Sequence, residues 1–155
     1  MKILKNFQEK AVFEVCNYTK KLLDDNKNGS IILKAPTGSG KTFMMSQIIN
    51  KICVDDDFDN QDVCFLWVSI GKGSLYEQSY KSLKQIFDGY PNCYLLEKEF
   101  HGGRGFIDKN EVICLNWEKI RTKDNDGNWT NILMKDKETY NFIDVLKTKN
   151  EFISY

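Results

Sequence analysis

The residues best suited to chemistry stand together in the stretch Ala35-Pro36-Thr37-Gly38-Ser39-Gly40-Lys41-Thr42. Gly38 and Gly40 carry no Cβ, so the backbone there is free to curl and turn its N–H groups inward around an anion. Lys41 supplies a mobile ammonium and Thr42 a hydroxyl, both where a helical pattern begins. A helix starting at that point adds its unpaired first-turn amides and the positive end of its dipole. Together these groups suit the polyphosphate of a nucleoside triphosphate. The amides from Gly38 to Thr42 cradle phosphate, and Lys41 reaches the β- and γ-phosphates as the catalytic cation. Thr42 ligates a Mg²⁺ ion shared with the nucleotide, while Thr37 and Ser39 complete the loop.

Such a loop needs a strand before it and a helix after it, and the sequence offers both. Ile31-Ile32-Leu33 is a short apolar, largely β-branched run ahead of the turn. Met45, Ile48, Ile49 and Ile52 then recur at helical spacing. Strand, glycine-rich turn, Lys-Thr and helix is the order of a phosphate-binding P-loop. A Gly/Ser turn joining a strand to a helix is common in itself. The agreement of all four features carries the nucleotide reading.

The remaining elements follow from periodicity. Phe7, Ala11, Val15, Tyr18 and Leu22 mark one face of an amphipathic helix over residues 6–25, closed by Asn26-Lys27-Asn28-Gly29. Asp55-Asp56-Asp57-Phe58-Asp59 is expected to be a solvated connection. Residues 63–69 form a near-continuous apolar run, as expected of a parallel strand covered on both faces. After the polar turn at 69–74 comes a helix with Leu75, Ser79, Leu83 and Ile86 on one face and Tyr76, Tyr80 and Phe87 beside it. Strands are expected at 93–96 and 111–115, a helix at 139–149, and the start of a strand at 152–155. Trp117 is expected to pack in the core at a strand end. His101 lies in a glycine-rich loop and is assigned no chemistry, while Arg104 in the same loop is a candidate phosphate contact. The pattern predicts an α/β fold with a mainly parallel sheet.

The P-loop departs from the general pattern at its first position, where Ala35 replaces glycine. Ala-Pro-Thr-Gly-Ser-Gly-Lys-Thr closely resembles motif I of the superfamily-two helicases and translocases, including the DEAD/DEAH-box proteins. Leu4-Lys5-Asn6-Phe7-Gln8-Glu9-Lys10-Ala11 resembles the Leu-x-x-(aromatic)-Gln-x-x-Ala segment upstream of motif I in many of them. By that resemblance Gln8 hydrogen-bonds the adenine edge, a task its amide suits with both a donor and an acceptor. The plainer alternative is an exposed helix residue. The strand, turn and helix at residues 63–87 resemble motif Ia, which implies that Gly71, Lys72 and Gly73 touch the phosphates of a nucleic-acid strand. A simple strand-to-helix connection explains them equally well. Asn116-Trp117-Glu118-Lys119 after a strand, with Asn131-Ile132-Leu133-Met134 beyond, resembles the restriction (Res) subunits of type III restriction enzymes and their phage-type relatives.

The resemblance implies a RecA-type P-loop NTPase with a three-layer fold, binding ATP and Mg²⁺. It also implies DNA as the partner of the full-length protein, and a modification methyltransferase subunit beside it. No Asp-Glu pair follows an apolar strand, although such an ATPase needs a carboxylate there to hold Mg²⁺ and orient water. The expectation is an incomplete unit, the N-terminal part of a first motor domain over residues 1–155, inactive by itself. Two other classes fit the loop: a complete kinase for a small substrate, and a nucleotide-binding module without hydrolysis. Only Arg104 and Arg121 exist to build a kinase lid.

Composition narrows the classes further. The chain has 155 residues, 41% apolar and 28% charged, which is ordinary for one globular domain with a real core. Lys plus Arg and Asp plus Glu both number 22, so any nucleic-acid contact must come from a local patch. Five dispersed cysteines without a Cys-x-x-Cys pair, and a single histidine, argue against a zinc site. No apolar run approaches a membrane span and no signal peptide is evident, so the expected location is cytoplasmic.

Overall fold

The computed structural model describes residues 3–58, 61–70, 74–96, 107–120 and 126. Helix α1 covers Asn6–Asp24. Its C-terminus closes as the turn sequence predicts: Asn26 takes a left-handed φ of 50°. The Lys27 amide donates to Leu22 O at 2.8 Å and the Asn26 amide to Leu23 O at 3.0 Å. That pair of bonds satisfies carbonyls the helix leaves open, and asparagine is among the residues that tolerate the left-handed turn. Its buried residues are Gln8, Val12 and Cys16. Phe7 and Tyr18, expected inside, are exposed. The helix is rotated by about one residue from the expected face, because Gln8 is anchored inward by hydrogen bonds described below.

Helix α2, Lys41–Val54, buries Met44, Ser46, Ile48, Ile49 and Ile52. With Val12 and Cys16 of α1 it forms a cluster closed by Phe58, which a 3-10 turn at Asp56–Phe58 tucks inward. The acidic connection is therefore solvated at Asp56 and Asp57 and pinned by Phe58.

Strands β1 (Phe65–Ser69), β2 (Cys93–Leu95) and β3 (Val112–Asn116) form a parallel sheet in the order β1-β3-β2. Phe65 stands opposite Val112, and Cys93 opposite the same Val112 on the other side. Flanked on both sides, β3 is buried at every residue. Helix α3, Leu75–Phe87, covers one face of the sheet with Tyr76, Leu83 and Phe87. Leu75, expected on the buried face, is exposed. The helix turns its aromatic flank to the sheet because Tyr76, Leu83 and Phe87 recur at spacings of seven and four.

Three expectations fail here. Residues 31–35 run into the loop in no strand ladder, and Ile31 and Ile32 are exposed. An extended segment becomes a strand only beside a partner, and none pairs with it among the described residues. Among the described residues strand β1 is covered on one face only: Leu66 and Val68 are 41% and 43% exposed. Trp117 opens helix α4, Trp117–Ile120, and is 43% exposed rather than packed in the core. The readings at residues 71–73, 101–105, 131–134, 139–149 and 152–155 lie outside the described residues.

All five cysteines are free. Cys93 and Cys114 meet in the core with their sulfurs 3.6 Å apart. Among the described residues no helix is long and apolar enough to cross a membrane, and no three His, Cys, Asp or Glu side chains cluster to hold a metal.

Candidate functional site

The site is built by the turn joining residues 31–35 to α2. Its backbone is closed by the Ser39 amide, which donates to Pro36 O at 3.2 Å. Gly38 and Gly40 have φ of 79° and 84°, conformations that cost L-residues with a Cβ energy. Gly40 is the residue before α2, and its carbonyl accepts the first helical bond, from the Met44 amide, at 2.9 Å. The first-turn amides of α2 therefore have no carbonyl of their own helix to bond. No acidic residue stands in that first turn, so the positive end of the helix is not neutralised within it.

Lys41 sets the charge of the site. Its Nζ donates to Ala35 O and Pro36 O, both at 2.9 Å, which folds the side chain back over the mouth of the turn. Those acceptors are neutral. An ammonium bonds an anionic oxygen roughly twice as strongly, so a phosphate is a better partner than the carbonyls holding Lys41 here. Thr42 is half-buried behind it, and Thr37 is exposed on the turn.

Gln8 is the inward anchor. It is 7% exposed, with both ends of its amide engaged. Oε1 accepts the Lys5 amide at 2.9 Å, and so satisfies a donor at the start of α1. Nε2 donates to Ser39 O at 2.8 Å, across 31 residues of chain. The bond needs close approach: a Cβ on Gly40 would stand 2.8 Å from Gln8 Nε2. Gly40 thus serves both the left-handed turn and the contact with α1.

Whether this turn suits a phosphate can be judged from one orphaned atom. Ser39 Oγ is buried without a hydrogen-bond partner among the described residues. A buried hydroxyl left in that state costs about 1–3 kcal/mol. The first-turn amides of α2 and the Lys41 ammonium beside a glycine-rich turn form a donor set of the kind a phosphate accepts from.

Of the residues singled out from the sequence, Gln8, Thr37, Gly38, Ser39, Gly40, Lys41 and Thr42 are brought into one locus by α1, the turn and α2. Gly71, Lys72, Gly73 and Arg104 lie outside the described residues. Sequence reasoning missed two participants. The carbonyls of Ala35 and Pro36 hold Lys41, and no side-chain pattern announces a carbonyl. It also missed that Gln8 fastens the loop. The signal was present as a glutamine at the third helical position, able to reach back to the amide before the helix.

Comparison with known proteins gives one family. The family profile described as "Type III restriction enzyme, res subunit" matches residues 1–146. No curated protein and no solved structure matches the chain.

Proposed function

The chain belongs to the type III restriction enzyme res-subunit family, and from that premise we propose that the turn at residues 36–42 binds ATP with Mg²⁺ to drive a DNA translocase. The family is one of P-loop NTPase domains of the ATP-dependent helicase motor type, using ATP and Mg²⁺. The single observation that supports the proposal is the left-handed turn at Gly38 and Gly40 running directly into α2, with Lys41 Nζ folded back onto the turn by neutral carbonyls alone.

In this reading the amides of Gly38 to Thr42 and Ser39 Oγ take phosphate oxygens, and Lys41 exchanges its two carbonyls for the β- and γ-phosphates. Thr42 offers a hydroxyl to Mg²⁺, an ion that neutralises charge on the phosphates when bound. Gln8 frames the adenine side; its NH₂ has a second hydrogen beyond the one given to Ser39 O. Lys72 between Gly71 and Gly73 contacts the backbone of a DNA strand. Residues 1–155 serve as the N-terminal part of the ATP-binding domain of a cytoplasmic restriction subunit, which works beside a modification methyltransferase.

A second reading, nucleotide binding without turnover, has an observation of its own. Strands β1 and β3 end at Ser69 and Asn116, neither of which is a carboxylate able to orient a water. Titration and phosphate release separate the possibilities. ATP should bind in a Mg²⁺-dependent way, and Lys41→Ala should weaken it tenfold or more, which is about 1.4 kcal/mol. Unchanged affinity in Lys41→Ala would remove the proposal. Gln8→Ala should erode the preference for ATP over GTP. The 155-residue chain should release almost no phosphate, with or without DNA. Lys41-dependent turnover on the order of one per second or more would mark a complete enzyme, in the range typical of kinases.

A further inference from the structure

Strands β2 and β3 bring two sulfurs together. Cys93 opens β2 opposite Val112, and Cys114 stands two residues further along β3. By the two-residue period of a strand Val112 and Cys114 share a face, the one that α3 covers with Tyr76, Leu83 and Phe87. Within that cluster Cys93 Sγ and Cys114 Sγ lie 3.6 Å apart. Cys114 is fully buried, whereas Cys93 is 8% exposed. A third thiol, Cys53, packs against the margin of the same cluster.

We propose that Cys93 and Cys114 are a redox pair, closed to a disulfide by a hydroperoxide and reopened by a small thiol, and that closure slides β2 along β3. The first step falls to Cys93, the less buried of the two. Its thiolate attacks a peroxide oxygen, forming an S–O bond and breaking the O–O bond. With hydrogen peroxide the leaving hydroxide takes up the thiol proton as water. The Cys114 sulfur then attacks the sulfenic sulfur of Cys93. The S–S bond forms, the S–O bond breaks, and the Cys114 proton leaves with the hydroxyl as a second water. The two sulfurs lose two electrons and the peroxide gains them. A disulfide carries no charge, so it suits a cluster built of apolar side chains.

The register decides what closure does. Parallel strands lie about 4.8 Å apart and rise about 3.3 Å per residue, so an offset of two residues sets the α-carbons about 8 Å apart. A disulfide spans about 6.8 Å at most between α-carbons. Rotation of the side chains alone therefore cannot close the bond. A slip of β2 by about 2 Å toward the carboxyl end of β3 brings the pair within reach. Strand β2 has three residues and, among the described residues, is bonded to β3 alone, so few bonds oppose the slip. The cost stays in the disulfide as strain, and strained disulfides are the readily reduced ones.

The proposal stands apart from nucleotide binding and is tested without it. The folded 155-residue chain is treated with hydrogen peroxide, alkylated, digested and mapped by mass spectrometry. Peptides joined through Cys93 and Cys114 should dominate over any disulfide to Cys16, Cys53 or Cys64, and dithiothreitol should release them. In Cys114→Ser, Cys93 should stop at the sulfenic acid and be trapped by dimedone. In Cys93→Ser, Cys114 should stay a thiol at the same dose. Amide hydrogen exchange followed by NMR reads the slip in the parent chain. The Val112 amide, bonded to Asn92 O at 2.8 Å, should exchange roughly fivefold to tenfold faster after oxidation, the loss of one net hydrogen bond. The Phe65 amide, bonded to Glu111 O on the other side of β3, should keep its protection and so report that the fold persists. Pairing of Cys93 with Cys114 only in urea-unfolded chain would overturn the proposal, as would scrambled disulfides. An oxidised chain with Val112 exchange unchanged would overturn it too, by showing that the pair closes without moving β2.

Discussion

At Gly40 two demands meet in one residue: a left-handed backbone and a close approach by Gln8. Gly38 answers only the first, since nothing lies within 4 Å of the position a Cβ would take. Gly38→Ala should therefore cost about 1–2 kcal/mol from backbone strain alone. Gly40→Ala should cost more, because the added methyl displaces the Gln8 amide as well. Urea unfolding measures both, and equal costs would mean that Gln8 yields without loss. In a double-mutant cycle Gln8→Ala should couple to Gly40→Ala and not to Gly38→Ala. A different residue-scale consequence follows from Cys53, whose thiol burial pushes up to about 12, with Lys109 pulling it partly back. Between the ordinary thiol range near 9 and about 12, the unfolded chain has released a proton that the folded chain keeps. Stability should fall as pH rises through that window and be unaffected by Cys53 below it. Burial raises the Cys16 thiol in the same direction. Cys53→Ala should flatten part of the alkaline loss in thermal melts taken from pH 8 to 11, and an unchanged slope would assign the loss elsewhere.

At the scale of elements, helix existence was legible and helix rotation was not. Apolar residues at three- and four-residue steps announced α1 and α3, yet each carries two adjacent apolar stripes, and periodicity cannot choose between them. In α3 the choice falls on Tyr76, Leu83 and Phe87. Leu83→Ala, at a fully buried position, should cost about 2–5 kcal/mol, whereas Leu75→Ala, 52% exposed, should change stability by less than about 0.5 kcal/mol. Comparable losses at the two sites would place the sheet-facing side wrongly. A polar strut also joins elements far apart in sequence. Asn110 Nδ2 donates to Tyr90 Oη at 2.7 Å and to Cys53 O at 3.3 Å. Tyr90→Phe should cost about 1 kcal/mol by removing the hydroxyl from that network, again read by urea unfolding.

At the scale of the molecule, equal numbers of acidic and basic residues leave no net field to gather nucleic acid. The DNA binding proposed above should then depend on local cations. Lys72→Ala should weaken it similarly on all sequences and reduce its salt slope by about 1, and an unchanged slope would remove Lys72 from the interface. What the sequence determined by itself was local. Spacing within eight residues announced a glycine turn running into a helix, because that turn depends on backbone freedom at Gly38 and Gly40. The order of strands and helices likewise announced an α/β fold, since a parallel sheet requires helical crossovers. Tertiary structure decided what depends on neighbours. It turned Gln8 inward to fasten the turn through Ser39 O, because an amide's partner 31 residues away leaves no trace in local spacing. It left Trp117 exposed, and gave Lys41 two carbonyls to rest on. Among the described residues it also left Ile31 and Ile32 in no strand, because strandedness belongs to a pair of segments, and sequence pattern reports only one of them.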